Sequence, residues 1–318
     1  MSLANYLRGT HFCDIFDMKS LRRGTTVTRI TIIGLGLIGG SLGLALKRAN
    51  LANLDLVGYA RKTQVASRAL ELGAVDKTEE DLASAVNKAE VVIIATPIMA
   101  IKEILAKIAD SLPPDCIVTD TASTKAQVMS WAQDYLPSTV SFVGGHPMAG
   151  KDTFGIDAAD AKLFDCCTYC LVPAQDAPPE AFHSLAELVT QIGARPLPIG
   201  ALEHDNFVAG VSHLPLLLSA ALVAATTENP RWPAMSKLAA GGYRDLTRLA
   251  SGNPEMSRDI CITNRENITR WIDDLVKELT EFRRLMNDGD KELEDAFIRA
   301  RQARQRWLQD MDVSSPRE

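Results

Sequence analysis

A glycine-rich loop between a strand and a helix constrains the fold of this chain more than any other feature. The β-branched run 29–33 leads directly into three glycines with the spacing G-x-G-x-x-G, and an apolar helical pattern follows. The first glycine permits a tight turn, the second lets a pyrophosphate approach the backbone, and the third lets helix and strand pack closely. Although glycine loops also close ordinary turns, this context favours dinucleotide binding at the helix N-terminus. The loop residues expected to bind the cofactor are Gly34, Gly36, Leu37, Ile38 and Gly39.

Strands and helices are predicted to alternate from this loop to about residue 200, as in a doubly wound α/β sheet. Such sheets bind ligands at the carboxyl ends of their strands. Those ends are expected to carry Thr96 with Pro97, Ser123 and His146. Beyond residue 201 only helical patterns occur. We therefore predict an N-terminal extension over 1–27, a dinucleotide-binding (Rossmann) α/β domain over 28–200 and an all-helical domain over 201–318.

The end of the second predicted strand, 54–59, bears on the choice of cofactor. An acidic residue about 20 positions beyond the last glycine would hold the ribose 2′-hydroxyl of NAD. This chain has Ala60, Arg61 and Lys62 at that place. Two cations suit a 2′-phosphate better than a hydroxyl, so the sequence favours NADP, with NAD as the alternative. A solvated basic turn without a ligand is the other interpretation.

Composition and charge exclude several classes of protein. The net charge of -6 provides no basic surface for nucleic acid. Cys167 and Cys170 lack the further ligands of a zinc site, so no metal is expected. The run Phe207–Ala225 is long enough to span a membrane, but Pro215 is expected to interrupt it and charged residues flank it. A helix that is apolar on all sides also suits a dimer interface, so we expect a cytoplasmic homodimer.

Five motifs in a fixed order carry a resemblance to a known family. They are 34–41 (GLGLIGGS), 120–125 (D-x-x-S-x-K), 145–150 (G-H-P-M-A-G), 212–215 (S-H-L-P) and 242–248 (G-Y-R-D-L-T-R). The set resembles the prephenate/arogenate dehydrogenase family of tyrosine biosynthesis over residues 29 to about 285. The H-P-M-A-G and R-D-x-T-R elements discriminate best, because other nicotinamide enzymes share the first motif.

The resemblance implies an enzyme that oxidatively decarboxylates arogenate, prephenate or both, with hydride transfer to NAD(P). In that reaction a base must remove the proton of the ring hydroxyl, and a neutral imidazole with a pKa of about 6.5 suits the role. His146 is the candidate base, Ser123 would orient the hydroxyl, and Arg248 would hold the ring carboxylate. The remaining residues expected near the substrate are His213, Asp245 and Asp152.

Each of these assignments has a structural alternative. His146 could satisfy a loop, Ser123 could cap a helix, and Asp152 and Asp245 could pair with arginines at the mouth of the site. His204 is interpreted as structural.

Two positions depart from the family pattern. Many prephenate-selective members read S-H-L-P-H and P-x-M-W, whereas this chain has Leu216 and Ser257 at the final positions. Both changes affect the pocket expected to receive the substrate side chain. They favour arogenate, or use of both substrates, over strict use of prephenate.

Two other functions fit part of the sequence. A β-hydroxyacid dehydrogenase or an imine reductase shares the predicted domain order, but H-P-M-A-G would then have no explanation. A nicotinamide-sensing protein without turnover would need neither His146 nor Ser123.

Overall fold

The computed structural model describes residues 28–288 and 290–314. The predicted N-terminal extension, 1–27, lies outside this range. The chain separates into two compact units, one ending at Arg265 and the other beginning at Glu266. The predicted boundary at residue 200 lies within the first unit, and a division into domains at that point stays a prediction.

Eight strands form one mixed sheet within the described residues, in the order β3-β2-β1-β4-β5-β6-β7-β8. Neighbouring strands are parallel except for β6 and β7, which pair antiparallel. The strands are β1 (Thr28–Ile33), β2 (Leu54–Tyr59), β3 (Lys77–Thr78), β4 (Val91–Ile94), β5 (Ile117–Asp120), β6 (Ser141–Pro147), β7 (Thr168–Pro173) and β8 (Arg195–Pro198). The predicted α/β sheet is confirmed, but the reversed direction of β7 was not predicted.

Six helices connect these strands. They are α1 (Leu37–Arg48), α2 (Thr63–Glu71), α3 (Leu82–Val86), α4 (Ile98–Ile108), α5 (Ala126–Tyr135) and α6 (Pro179–Gln191). The continuous apolar run of β4 is typical of a strand that helices cover on both faces. Leu42 of α1, Phe182 and Leu185 of α6, and Ile93 of β4 belong to one hydrophobic core. This core holds the sheet and its carboxyl edge in place.

The part of the chain after the sheet is helical, as predicted. The helices are α7 (Ala201–Val208), α8 (Leu214–Thr227), α9 (Trp232–Met235), α10 (Gly241–Thr247), α11 (Pro254–Thr263), α12 (Arg265–Asp288) and α13 (Asp290–Ser314). Asn264 lies between α11 and α12 and separates these two helices.

One long apolar helix, Ala201–Thr227, comprises α7, a π-helical turn and α8. Pro215 was expected to interrupt it, and this was wrong. Pro215 lies in the first turn of α8, directly after the π-helical turn Ala209–His213. A wider turn accommodates a residue that cannot donate a backbone hydrogen bond. The helix is long and apolar enough to cross a membrane. Only 22% of its most apolar stretch of 18 residues is buried within this chain.

Candidate active site

The glycine loop has the geometry of a phosphate-binding turn. Gly34 has φ +96°, and a Cβ there would lie 2.5 Å from the Ala95 carbonyl oxygen. A Cβ at Gly39 would lie 1.9 Å from the carbonyl oxygen of Gly34, so α1 packs directly on the loop. Gly36 precedes the helix without a side-chain cap, and nothing lies within 4 Å of a Cβ built on it. Because the first N–H groups of a helix have no partner within it, Leu37 and Ile38 can donate into this space.

The strand ends beside this loop carry the other predicted cofactor residues. Ala60, Arg61 and Lys62 follow β2, and the two cations are exposed. Thr96 follows β4, and its Cγ2 lies 2.8 Å from the Cβ position of Gly34, while Pro97 directly precedes α4. The open cradle at Gly36 and the cations at the end of β2 fit a dinucleotide phosphate.

His146 lies within β6, one residue before the strand ends. Its backbone pairs with Cys170 of β7, and its side chain is only 8% exposed. A Cβ at the preceding Gly145 would lie 2.4 Å from the Asp120 carbonyl oxygen, so β6 approaches the end of β5 closely. The predicted base is therefore fixed at the carboxyl edge of the sheet.

Two buried side chains lie behind His146. Its Nδ1 is 2.8 Å from Nε2 of His204, and Nδ1 of His204 is 2.8 Å from Oδ1 of Asp205. The imidazole rings of His146 and His204 meet edge to face, with centroids 5.1 Å apart. The sequence interpretation missed this contact, although a His-Asp pair opening an apolar helix was a usable signal.

Burial lowers the pKa of His146 well below its ordinary value of 6.5, and the nearby His204, Lys125 and His213 lower it further. The side chain is therefore neutral at pH 7, as a base requires. Nε2 of His146 makes no hydrogen bond with the described residues.

A buried ion pair joins the ends of β5 and β6. Lys125 contacts Asp120 through its ammonium group and also donates to the Gly145 carbonyl at 2.7 Å. Asp120 in turn accepts from the backbone N–H groups of Ala122 and Gly145. Burial lowers the pKa of Lys125, and the charge of Asp120 opposes this effect. The sequence assigned no role to this pair, although charged residues at an apolar strand end were the signal for it.

Ser123 lies in the loop between β5 and α5. It was weighed as a helix cap, but α5 begins after Lys125 without a cap from that side chain. Asp205 takes this role, since its carboxylate accepts from the N–H groups of Lys125 and Ala126 at 2.7 and 2.9 Å. The hydroxyl of Ser123 makes no hydrogen bond within the described chain, which leaves it available to a ligand.

His213 ends the π-helical turn and is buried. Asn264 Nδ2 lies 3.2 Å from Nδ1 of His213, and Nε2 has no partner of normal geometry among the described side chains. Burial is the main cause that lowers the pKa of His213 to about 4. A hydrogen bond with the Ser123 backbone opposes this effect, so the buried ring of His213 lies against the loop that carries Ser123.

The three charged residues predicted near the substrate lie at the surface. Arg248 is 59% exposed and its Nη1 is 2.7 Å from Oδ1 of Asp152. Asp245 is exposed on α10 and makes no ion pair within the described residues. The structure therefore pairs Arg248 with Asp152 and leaves Asp245 to solvent. No group of three or more potential metal ligands occurs among residues 28–288 and 290–314.

Two family models match the chain in succession. The model described as "Prephenate dehydrogenase, nucleotide-binding domain" matches residues 42–197. The model described as "Prephenate dehydrogenase, dimerization domain" matches residues 201–300.

Individual proteins of related sequence and fold agree with these matches. Prephenate dehydrogenase of Bacillus subtilis (strain 168) is 37% identical over 265 residues, which cover 83% of this chain and 71% of the relative. The crystal structure of Synechocystis arogenate dehydrogenase has 31% identity and a TM-score of 0.75, covering 88% of this chain and 100% of the other. Prephenate dehydrogenase from A. aeolicus, in complex with hydroxyphenyl propionate and NAD⁺, has 26% identity and a TM-score of 0.83, covering 89% and 99%.

Proposed function

The chain belongs to the prephenate dehydrogenase family, and we propose that it oxidatively decarboxylates arogenate, prephenate or both, using a nicotinamide cofactor. The products are tyrosine from arogenate and 4-hydroxyphenylpyruvate from prephenate. The observation that most supports this reaction is the neutral, buried His146, whose Nε2 makes no hydrogen bond with residues 28–288 or 290–314. Absorbance of the reduced cofactor on mixing protein, NADP⁺ or NAD⁺ and each substrate tests the proposal, and no absorbance change with either substrate would refute it.

The chemistry requires a base, an orienting group and a place for the cofactor. His146 would take the proton of the ring hydroxyl at Nε2, and the free hydroxyl of Ser123 would orient that group. Leu37 and Ile38 would hold the pyrophosphate through their backbone N–H groups. Bound NAD(P)⁺ supplies the hydride acceptor.

Substrate carboxylates need cations or donors at fixed positions. Arg248 can hold a carboxylate through two hydrogen bonds, and its exposed pair with Asp152 is weak enough to exchange for a ligand. Because the Asn264 amide donates a hydrogen bond to Nδ1 of His213, the neutral ring carries its proton on Nε2 and would donate from there. We therefore propose Arg248 and His213 as substrate-binding residues, with Asp152 and Asp245 at the mouth of the site.

The cations after β2 support NADP as the preferred cofactor. Replacing Ala60 by aspartate should reverse this preference by on the order of 10²-fold, because like charges brought together cost several kcal/mol. The aspartate would also accept from the 2′-hydroxyl of NAD. The ratio of kcat/KM for NADP⁺ and NAD⁺ measures the effect, with Ala60→Asn as an uncharged control. Equal or better native efficiency with NAD⁺ would contradict the charge argument.

The two departures from the family pattern support arogenate, or use of both substrates. Leu216 is half-buried on α8 and offers no donor to the ketone of prephenate. The Ser257 hydroxyl donates to the backbone carbonyl of Asn253 at 3.1 Å, so it provides no donor for that ketone either. An arogenate ammonium needs acceptors, which water and the carboxylates of Asp152 and Asp245 would provide.

Replacing Leu216 by histidine should raise kcat/KM for prephenate relative to arogenate by about fivefold or more. One hydrogen bond to a buried acceptor contributes about 1 kcal/mol. Steady-state kinetics with each purified substrate measure the ratio, and Leu216→Met is the control without a donor. A native enzyme at least tenfold more efficient with prephenate would defeat the substrate preference proposed here.

We propose that the chain forms a homodimer through the long apolar helix. The large apolar side chains of this helix that are exposed in the single chain are Leu202, Phe207, Val211 and Leu218. So many exposed apolar residues on one helix favour an interaction site. The dimerization-domain match over 201–300 supports a second copy rather than lipid as the occupant, and we propose that the enzyme is cytoplasmic.

The alternative functions leave parts of the site unexplained. A β-hydroxyacid dehydrogenase or imine reductase would be expected to take its proton donor from the helical part of the chain, whereas the candidate base His146 lies at the sheet edge. A nicotinamide sensor has no use for a neutral base with a free nitrogen. Neither alternative is favoured.

A further inference from the structure

His204 and Asp205 occupy a position that neither cofactor nor substrate can reach. The His204 side chain has no solvent exposure, and the Asp205 side chain almost none. Both ring nitrogens of His204 are already engaged, one by His146 and the other by Asp205. Any influence of this pair on catalysis must therefore act through His146.

The hydrogen bonds of Asp205 fix where the protons lie. Its two carboxylate oxygens accept from Lys125 N, Ala126 N and Nδ1 of His204. Because a carboxylate only accepts, Nδ1 of His204 must carry a proton. In a neutral His204 the other nitrogen, Nε2, is then an acceptor. The hydrogen bond at 2.8 Å consequently requires the proton on Nδ1 of His146, which leaves the lone pair on Nε2.

From this chain of donors and acceptors we infer that His204 and Asp205 are positioning residues that hold His146 in the tautomer able to act as a base. The inference rests on the proposed function for its consequence in turnover. The tautomer itself is a property of the folded protein and can be observed without any reaction. A carboxylate that orients a catalytic histidine through its second nitrogen is an arrangement known from other enzymes.

The surroundings of His146 keep it neutral until it reacts. The ring is buried, and the nearby His204, Lys125 and His213 each lower its pKa, so a proton on both ring nitrogens is disfavoured in the resting protein. Asp205 accepts from Nδ1 of His204 and so leaves Nε2 of a neutral His204 as the acceptor that faces His146. The role of the pair is therefore to fix which nitrogen of His146 carries the single proton.

Asp205 also links the base to the loop that carries Ser123. By accepting from Lys125 N and Ala126 N, it fixes the start of α5 two to three residues after Ser123. Substituting Asp205 would therefore disturb the fold as well as the tautomer. His204 is the better position to test, because its substitution leaves this cap in place.

Nitrogen NMR of protein labelled with ¹⁵N-histidine tests the inference directly. The chain has 5 histidines, which makes assignment by single substitution practical. We expect His146 in the native protein to be protonated at Nδ1 and unprotonated at Nε2. Finding the proton on Nε2 of native His146 would overturn the inference, whatever any variant does.

Two variants separate positioning from simple packing. His204→Gln keeps an acceptor for Nδ1 of His146, whereas His204→Leu removes it. In the leucine variant, His146 should populate both tautomers. Its kcat should fall by about 10- to 10³-fold while KM changes little, because only part of the rate factor that a positioned base contributes is lost. The glutamine variant should retain the native tautomer of His146, and its kcat should be several-fold higher than that of the leucine variant. His183→Gln, at an exposed position on α6, is the control.

The outcomes distinguish failure of the inference from failure of the proposed function. If His146 keeps its native tautomer in His204→Leu, or if both His204 variants lose turnover equally, His204 is structural and the inference is wrong. If the native tautomer is as expected but no substrate of the family is oxidised, the proposed function is wrong and the positioning of His146 still holds.

Discussion

Replacing His146 by asparagine should lower kcat by about 10²–10⁴ while cofactor and substrate binding stay largely intact, because a positioned general base usually contributes that much. Asparagine cannot take up a proton, and it is small enough to occupy the site without strain. Steady-state kinetics give kcat and KM, and equilibrium titration of the cofactor gives binding. A variant with near-native turnover would remove His146 from the mechanism.

The pH dependence of the native enzyme provides a second measure of the same residue. Since burial lowers the pKa of His146 well below 6.5, the base stays neutral and active on the acidic side of that value. The acidic limb of kcat/KM should therefore fall at a pH clearly below 6.5, and His146→Asn should abolish it. A limb centred at or above 6.5, or one that survives the substitution, would contradict this assignment.

Arg248→Gln is the contrasting variant. Its ion pair with Asp152 is exposed, so its loss should cost little stability. Because a ground-state carboxylate contact is lost, KM should rise while kcat changes less. A fall in kcat as large as that of His146→Asn would show that the two residues do not have separate roles.

Placing a charge on the apolar face of helix 201–227 should separate the dimer into monomers. Val211 is 74% exposed and Leu218 is 41% exposed in the single chain, so aspartate at either position should leave the monomer folded. An unpaired charge in an interface costs about 3 kcal/mol, which is on the order of 10²-fold in the dissociation constant. Sedimentation equilibrium measures the change.

The matched control is Leu70→Asp. Leu70 is 39% exposed on α2, so it has nearly the exposure of Leu218 but lies outside the long helix. It should remain dimeric. A native protein that is monomeric at micromolar concentration would contradict the proposed interface, as would equal dissociation in Leu70→Asp and Leu218→Asp.

Local signals in the sequence were sufficient for the parallel part of the sheet. β2 begins and ends at the predicted residues 54 and 59, and β4 is a continuous apolar run. The glycine loop was predictable because only glycine tolerates the φ of Gly34 and the contact at Gly39. The strand ends then placed Thr96, Ser123 and His146 at one edge.

Features that depend on distant contacts were not predictable in the same way. The direction of β7 is not encoded in the period of its side chains, which is the same for parallel and antiparallel pairing. His204 lies 58 positions from His146, and only the tertiary fold brings the two side chains together. The burial of Lys125 likewise depends on tertiary contacts, which it makes with Asp120 and the Gly145 carbonyl.

Simultaneous measurement of carbon dioxide and reduced cofactor is the most direct test of the proposed reaction. With arogenate or prephenate labelled in the ring carboxylate, native protein should release labelled carbon dioxide and form reduced nicotinamide cofactor in a one-to-one ratio. His146→Asn should slow both by the same factor, because one proton transfer assists both bond changes. Reduced cofactor formed without carbon dioxide, or neither product with either substrate, would contradict oxidative decarboxylation at this site.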